Sequence, residues 1–492
     1  MPAHTHVSFT TSDPRLQKLY DTACQKCLLN LQSFGPYTVL VEGGGYEKIW
    51  LETQPMGGEM YAKRNMEAAL NNHLLFMRTQ REDGRMAGSI QCLPDGTIEP
   101  QFNKFQGFCF PWSGLNLYYW LGEDSAYLDE LAQSLEKFDA YLWRVRDSNG
   151  DGCLESWCVY DTGEDNAVRY GDSPVYCTAD TPPEGFSVVP MASMDVMSFS
   201  YACRDTLREI SLIRGDGREE HWRKAAQEVA QALKKHLWHE DQGACYDRDK
   251  HGNVIPVLVH NSLRCMYWGS FSQEMADRFV HQHLTNPQEF WTPLPLPSVS
   301  VSDPAFRNAP ENNWSGQCEG LTYQRAILAL ERYGYEPLVT ALGHKLIDAL
   351  IEGGYVFTQQ FDPFTGAPSR VSPVTKSPLP PDSNEPFQDS YGPTLLSALE
   401  YIAHIWGVTL NRNEWWFSLG SGCRYAYEQH WNGRCYRIES DGQEARIFFD
   451  GREMHRSPCG VRLITDDQGR LLRTRPIESI QLPFACQKPL NG

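Results

Sequence analysis

The rhythm of its connections constrains this chain most. Up to about residue 408 apolar residues recur at helical spacing, and several helical segments meet through very short turns. Leu121-Gly122-Glu123-Asp124, Arg214-Gly215-Asp216-Gly217 and Tyr333-Gly334-Tyr335 are three of them. Such turns make the joined helices antiparallel. Between the hairpins lie long stretches rich in Gly, Pro and Trp, at about 35–55, 81–106, 146–191, 285–315 and 353–391. Long loops inside a compact domain tend to carry function. Hairpin and long loop, repeated around a closed ring, would gather the long loops on one rim. The spacing predicts helices near 13–34, 56–80, 107–121, 124–145, 192–213, 217–239, 257–268, 273–284, 316–334, 336–352 and 392–406. That is about eleven, against the twelve of an (α/α)6 toroid of antiparallel helix pairs. An open solenoid would show a regular sequence repeat, and none is visible.

After residue 408 the pattern changes. CYRIES, ARIFFD, GVRLIT and LLRTRP are short β-rich segments separated by DGQ, DGRE and DDQG, which are hairpin signals. The division expected is therefore a helical toroid over 1–408 and a small antiparallel β appendage over 409–492. The appendage would cover one side of the ring or meet another subunit, so a homo-oligomer stays open.

A formal charge of -18 repels nucleic acid and anionic lipid. No run reaches the roughly 18–20 apolar residues of a membrane helix, and MPAHTHVSFTTSDP does not read as a signal peptide. The 15 cysteines show no paired CxxC motifs of a structural zinc site, and Cys24-x-x-Cys27 falls in an amphipathic helical pattern. Reduced thiols, a cytoplasmic location, no metal and no cofactor are the expectations.

Tryptophan and tyrosine are abundant in the loops, at Trp50, Trp112, Trp157, Trp291, Trp314 and Tyr391. Core packing explains most aromatics. Loop tryptophans beside carboxylates also hold sugar rings, whose C–H faces are apolar and whose rims are polar. The densest polar stretch is DSNGDGCLESWCVYDTGEDNAVRYGD, residues 147–172. Its start looks like an EF-hand loop, but Cys158 stands where the bidentate glutamate belongs, so a tight Asp/Asn/Gly turn is the better reading.

Asp161-Thr162-Gly163-Glu164-Asp165-Asn166-Ala167-Val168-Arg169-Tyr170 resembles the Glu-Ser-Gly-x-Asp-x-Ser-x-Arg-Trp pattern of glycoside hydrolase families 37 (trehalases) and 63. That pattern carries the general acid, so the resemblance implies Asp165 as the acid and Arg169 as its arginine. Acetal hydrolysis needs a carboxylic acid to protonate the leaving oxygen and a carboxylate to activate water. A carboxyl among Trp157, Tyr160 and Tyr170 would hold its proton longer, which suits an acid.

Four further fragments match in order. Trp50-Leu51-Glu52-Thr53 is similar to the families' sugar-contacting Trp-Asp segment, with Glu52 for Asp. Phe290-Trp291-Thr292-Pro293 through Asp303-Pro304 resembles the loop leading into a Trp-Arg-Gly-Pro segment. Here that segment is Asn313-Trp314-Ser315-Gly316-Gln317, without the arginine. Gln388-Asp389-Ser390-Tyr391-Gly392 resembles the stretch opening the last helix. The resemblance spans roughly 40–405 and implies a glycoside hydrolase on an (α/α)6 ring, acting on small α-glucosides or α-mannosides. Trp50, Glu52, Trp112, Arg169, Trp314, Gln359 and Tyr391 are the candidate substrate-binding residues.

One departure matters. The families' base is the glutamate of a Glu-x-Tyr-Asp/Asn-Pro-x-Thr-Gly hairpin. This chain has Gln359-Gln360-Phe361-Asp362-Pro363-Phe364-Thr365-Gly366. An amide cannot take a proton from water at neutral pH. Glu319, after Trp314, is therefore the first candidate base and Asp389 the second. An inactivated variant and a carbohydrate-binding toroid without catalysis are the alternatives, and a β-galactosidase on the same fold is the runner-up activity. A sugar epimerase would need paired histidines. His281 and His283 are the one tight pair, on a helix far from these loops. A uronate lyase would want a basic cleft, which this acidic chain does not suggest.

Overall fold

The computed structural model describes residues 4–478, apart from 374, 376, 381 and 382 and the side chain of residue 313. Its helices are α1 (Pro14–Leu29), α2 (Gln54–Tyr61), α3 (Met66–Arg78), α4 (Pro111–Trp120), α5 (Ser125–Val145), α6 (Met194–Arg214), α7 (Glu219–Leu237), α8 (Asn261–Trp268), α9 (Gln273–Phe279), α10 (Gly320–Glu331), α11 (Glu336–Glu352) and α12 (Gly392–Trp406). The sequence pattern merges α2 and α3 into one helix over 56–80. The break comes at Asn65, whose side chain accepts the Ala68 N–H and caps a new helix start. The first helix stops at Leu29 rather than running to Phe34. Leu31–Phe34 instead pairs with Tyr37–Leu40 as a small antiparallel hairpin.

Even- and odd-numbered helices differ in burial. Every residue of α2, α8, α10 and α12 is buried, as expected of helices enclosed on all sides. The odd helices are amphipathic. In α7 only Trp222, Ala226, Val229, Leu233 and Leu237 are buried, one stripe at spacings of three and four. Packing runs α2 to α4, α4 to α6, α6 to α8, α8 to α10, α10 to α12 and α12 back to α2, so the inner helices return on themselves. Each outer helix except α1, which precedes the ring and packs on α12, is reached from its inner neighbour by a short turn. The long segments, 30–53, 79–110, 146–193, 238–260, 285–319 and 353–391, all lead into the N-termini of the inner helices.

The C-terminal part is antiparallel β. Val408–Asn411, Glu414–Leu419, Val461–Thr465 and Leu471–Pro476 form one four-stranded sheet. Tyr425–Trp431, Arg434–Ser440, Glu444–Phe449 and Arg452–Pro458 belong to a second, whose edge is Thr5–Thr11 from the N-terminus. A division at 408 puts this N-terminal strand with the helices, whereas its backbone hydrogen bonds lie with Tyr425–Trp431. Residues 479–492 of the expected appendage lie outside the described residues. The β region packs on the C-terminal ends of inner helices. The Trp431 indole donates to Trp120 O at 2.8 Å, Asn116 Nδ2 to Leu410 O at 3.1 Å, and Arg462 pairs with Glu331 at 2.6 Å. It therefore covers the end of the helical assembly opposite the long loops.

Every described cysteine is free. Among the described residues no helix is long and apolar enough to cross a membrane.

Candidate active site

The loop that carries Asp165 is held from below. Asp161 accepts the Phe105 and Trp157 N–H groups at 3.1 and 2.9 Å and pairs with Arg146 at 2.5 Å, all fully buried. Gly163 has φ +76, and a Cβ there would lie 2.1 Å from Glu52 Oε2, so only glycine lets the loop close over that carboxylate. Beneath it, Arg169 binds Glu164 and Asp247 through very short contacts and Asp195 at 3.1 Å. Arg264 reaches Glu164 at 3.1 Å and Asp195 at 3.0 Å, and Asn261 Nδ2 donates to both carboxylates. Burial pushes the Glu164 carboxyl up, but Arg169 and Arg264 outweigh it and hold the group well below its ordinary range. Arg169 was expected to touch the sugar. It is buried, with its terminal nitrogens committed to three carboxylates, so its position is that of an anchor for the loop.

Above this network the carboxyls converge. Gln106 Nε2 donates to Glu52 Oε1 at 3.1 Å and lies 3.4 Å from Asp165 Oδ1, so one amide spans both acids. Glu52 is buried and also accepts from Arg325 Nη2 at 3.0 Å. Burial raises the proton affinity of Glu52, against the pull of Arg325 and Arg264. Asp165 opens to the cleft yet sits deep among protein groups. That desolvation, with the nearby Glu52 charge, raises its carboxyl to about 7, while Gln106 and Lys104 pull the other way.

Facing them is a tyrosine cluster. Tyr46 Oη donates to Gln359 Oε1 at 3.0 Å, and its ring meets Trp50 and Tyr391 edge-on at 6.5 and 6.3 Å. Tyr391 Oη donates to Glu42 Oε1 at 2.9 Å. Burial raises the Tyr46 phenol, and the fields of Glu42, Asp165 and Glu319 raise it further. Glu319 is fully buried at the N-cap of α10, in a two-residue ladder where Cys318 and Glu319 oppose Phe361 and Gln360. Trp314 is buried too. Its N–H donates to Asn166 Oδ1 at 3.1 Å, and Ser315 Oγ accepts the Val168 N–H at 3.0 Å, which clips this segment onto the Asp165 loop.

Two expected site residues lie elsewhere. Asp389 pairs with Lys26 of α1 at 2.5 Å and accepts the Phe357 and Ser390 N–H groups at 2.9 and 2.6 Å, so its charge is spent on anchoring the chain before α12. Trp112 lines a small cavity inside the ring with Lys63, Asn116, Glu331, Glu400 and His404, toward the end that the β region covers. It was singled out as a loop aromatic, but it lies in the first turn of α4. His283 is tied to Glu289 and Gln242 O, both at 2.6 Å, in a structural role.

Gln106, Tyr46, Glu42 and the Asp195–Asp247–Arg264 set were missed. Their only sequence signal is position: Asp195 and Arg264 lie in the first turns of α6 and α8, and the others in the long segments that lead into inner helices. The same is true of a lysine pair beside Trp50. Lys104 Nζ lies 5.1 Å from the Trp50 ring centroid and 5.3 Å from that of Tyr176, and Lys48 Nζ lies 5.5 Å from Trp50. Burial, then the Lys48 charge, lowers the Lys104 ammonium to about 8. Their direct hydrogen-bond partners are neutral, Gln101 for Lys48 and Ser89 and Asn103 for Lys104, while the charge of Glu99 acts on Lys48 and those of Asp165 and Glu52 act on Lys104.

Comparison with known proteins gives this arrangement a family. The GH63 mannosylglycerate hydrolase of Thermus thermophilus, solved with glucose, superposes with a TM-score of 0.59 at 16% identity, over 78% of this chain and 99% of that one. The neutral trehalase of Saccharomyces cerevisiae follows with 0.53 at 12% identity, over 75% and 74%. A sialidase chain aligns with 0.67 at 13% identity, over 94% of this chain and 42% of its own. At such identities the likeness concerns the fold. No curated protein matches by sequence. A β-galactosidase, left open above, gains no support. The model of the mannosylglycerate hydrolase MGH1-like glycoside hydrolase domain matches residues 58–377, about two thirds of the chain, and the protein belongs to that family of glycoside hydrolases.

Proposed function

We propose that the chain is an inverting, exo-acting glycoside hydrolase of small α-glucosides or α-mannosides. Its (α/α)6 toroid would extend to about residue 408, with the β region as an appendage. Asp165 acts as general acid and Glu319 as base. The observation that carries this reading is the Tyr46 hydroxyl, bonded to Gln359 and within the fields of both Asp165 and Glu319. An acid held near neutrality and a separate carboxylate for the attacking water are what an inverting mechanism needs. Asp165 would protonate the leaving oxygen, and Glu319 would take a proton from the attacking water. Asp389, committed to Lys26, is set aside as base. Trp50, Tyr391, Glu52 and Gln359 would contact the sugar, Trp314 would back it, and Arg169 would fix the acid's loop.

The lysine pair supports a further feature of the substrate. In a pocket of carboxylates, two adjacent ammonium groups beside the acid favour a leaving group that bears a negative charge. The Thermus relative is described as a mannosylglycerate hydrolase, and glycerate is an acid. The test is a panel of α-mannosides and α-glucosides with aryl or hydroxy-acid aglycones, with the anomer of the first product read by proton NMR. Release of the inverted anomer supports the reading. Release of the retained anomer overturns the water-activating base, and binding without release in the whole panel favours a carbohydrate-binding toroid.

A further inference from the structure

The second β sheet presents a set of metal-binding side chains on its outer face, remote from the pocket. In Thr5–Thr11 the residues alternate, with Thr5, Val7 and Phe9 buried and His6, Ser8 and Thr10 exposed. Tyr425, Tyr427 and Gln429 of the next strand turn inward, so Glu428 and His430 turn outward. In Arg434–Ser440, Tyr436, Ile438 and Ser440 are buried, which places Cys435 on the outer face as well. Register completes the set. His6 lies directly opposite His430, and His430 directly opposite Cys435, across three neighbouring strands. Glu428 precedes His430 by two residues, hence on the same face.

We propose that Glu428, His430 and Cys435, with His6 from the N-terminal strand, bind one divalent cation of the zinc class. The ligand atoms of Glu428, His430 and Cys435 already lie within 4.8 Å of one another. His430 Nε2 is 2.5 Å from Glu428 Oε1, and the His6 and His430 ring centroids are 6.0 Å apart. A tetrahedral ion with bonds of about 2.0–2.3 Å needs ligand atoms roughly 3.3–3.8 Å apart, so small side-chain rotations suffice for Glu428, His430 and Cys435, while the exposed His6 ring has to swing toward them. Two residues at i and i+2 with cross-strand partners converge because side chains on one face of adjacent strands are neighbours. Imidazole, thiolate and carboxylate together suit zinc rather than calcium or magnesium, which take oxygen alone. Arg437 Nε lies 3.9 Å from Glu428 Oε2, but its guanidinium also pairs with Glu439. The four ligands come from residues 6 and 428–435, so the ion would fasten the N-terminal strand to the C-terminal sheet.

The test uses the full chain, stripped with a chelator and titrated with Zn²⁺ or Co²⁺. One equivalent retained through gel filtration is expected. The Co²⁺ form should show a thiolate-to-metal charge-transfer band that is missing from Cys435→Ser. His430→Ala should bind at least about 10- to 100-fold more weakly, since even outer-shell changes cost that much. His6→Gln, an exposed substitution that leaves the strand pairing intact, should lower affinity and abolish the rise in Tm that Zn²⁺ gives. Binding that is absent, or equal in Cys435→Ser, His430→Ala and the parent chain, overturns the site. An ion bound with His6→Gln unchanged removes the fastening of the N-terminal strand.

Discussion

Replacing Asp165 with asparagine probes the acid directly, and the surroundings say what should remain. The carboxamide keeps an oxygen toward Gln106 Nε2, the 3.4 Å partner of Asp165 Oδ1, and the loop is held by Asp161, Glu164 and Arg169 rather than by position 165. Folding should therefore be close to that of the parent. What disappears is a proton on a carboxyl raised to about 7 by its desolvated place in the cleft and by Glu52. A positioned acid contributes about 10²–10⁴-fold, so kcat/KM on an alkyl glycoside should fall by that factor. The loss should shrink for a dinitrophenyl leaving group, which needs no proton. The pH profile adds a second reading. The acid works in its protonated form, so parent activity is retained below about pH 7 and falls about tenfold per unit above it. That alkaline limb should be absent from Asp165→Asn. Initial rates from pH 5 to 9 on both substrates, with circular dichroism as a check on folding, decide the matter. A near-normal rate on the alkyl glycoside, or an unchanged alkaline limb in the variant, refutes Asp165 as acid.

Three other outcomes follow from neighbouring residues. Glu52→Gln removes a negative charge beside Asp165, which makes the carboxylate easier to form, so the alkaline limb should move to lower pH. A limb that stays in place or rises contradicts the coupling. Glu319→Ala should abolish hydrolysis of unactivated glycosides, with azide restoring turnover and giving a glycosyl azide detectable by mass spectrometry; wild-type rates would remove Glu319 from the mechanism. Arg169→Met leaves Glu164, Asp195 and Asp247 buried with less compensation and should cost about 3–5 kcal/mol in urea unfolding. A change below about 1 kcal/mol would show that the network does not hold the loop.

The architecture was legible because it is written in connection lengths. Short turns at 121–124, 214–217 and 333–335 join inner to outer helices, and the long segments lead back into inner ones. The missing twelfth helix was hidden at Lys63-Arg64-Asn65, where helical residues run through a cap that periodicity cannot see. Asp165, Glu52 and Tyr391 were legible as fragments in order; Gln106 links the first two, and Tyr391 meets the Tyr46 ring. Arg169 shows the limit of such matching. The same arginine could reach a sugar or three carboxylates, and only the positions of Asp195 and Asp247, distant in sequence, decide between them. Asp389 was equally ambiguous, because Lys26, which takes its charge, comes from a helix at the other end of the chain. Trp112 was misread because a Pro-Trp pair marks a helix start as readily as a loop, and the indole then turns into the ring.

The hardest residue to read is Gln359, since its amide removes the base from the place where the resemblance puts it. Its contacts explain why the amide is tolerated. Gln359 Oε1 accepts the Tyr46 hydroxyl at 3.0 Å, and Gln359 O accepts the Gly320 N–H at 3.0 Å. A glutamine serves both contacts as well as a glutamate would, so position 359 can keep its structural work while giving up its charge. The second contact also matters for catalysis, because Gly320 directly follows Glu319. The two-residue ladder of 318–319 with 360–361 ties the backbones of both segments together at the mouth of α10. A base need not occupy one fixed position in the chain; it must present a carboxylate to the same water. In this pocket a buried carboxylate one hydrogen-bonded segment away could do so while Tyr46 stays bonded to the amide. An added carboxylate at 359 would face the Tyr46 hydroxyl, a phenol already raised by burial and by the charges of Glu42, Asp165 and Glu319, and a further negative charge there would oppose ionisation of its neighbours. On that argument the amide at 359 is compatible with Glu319 as the proposed base, and is not by itself the mark of a lost activity.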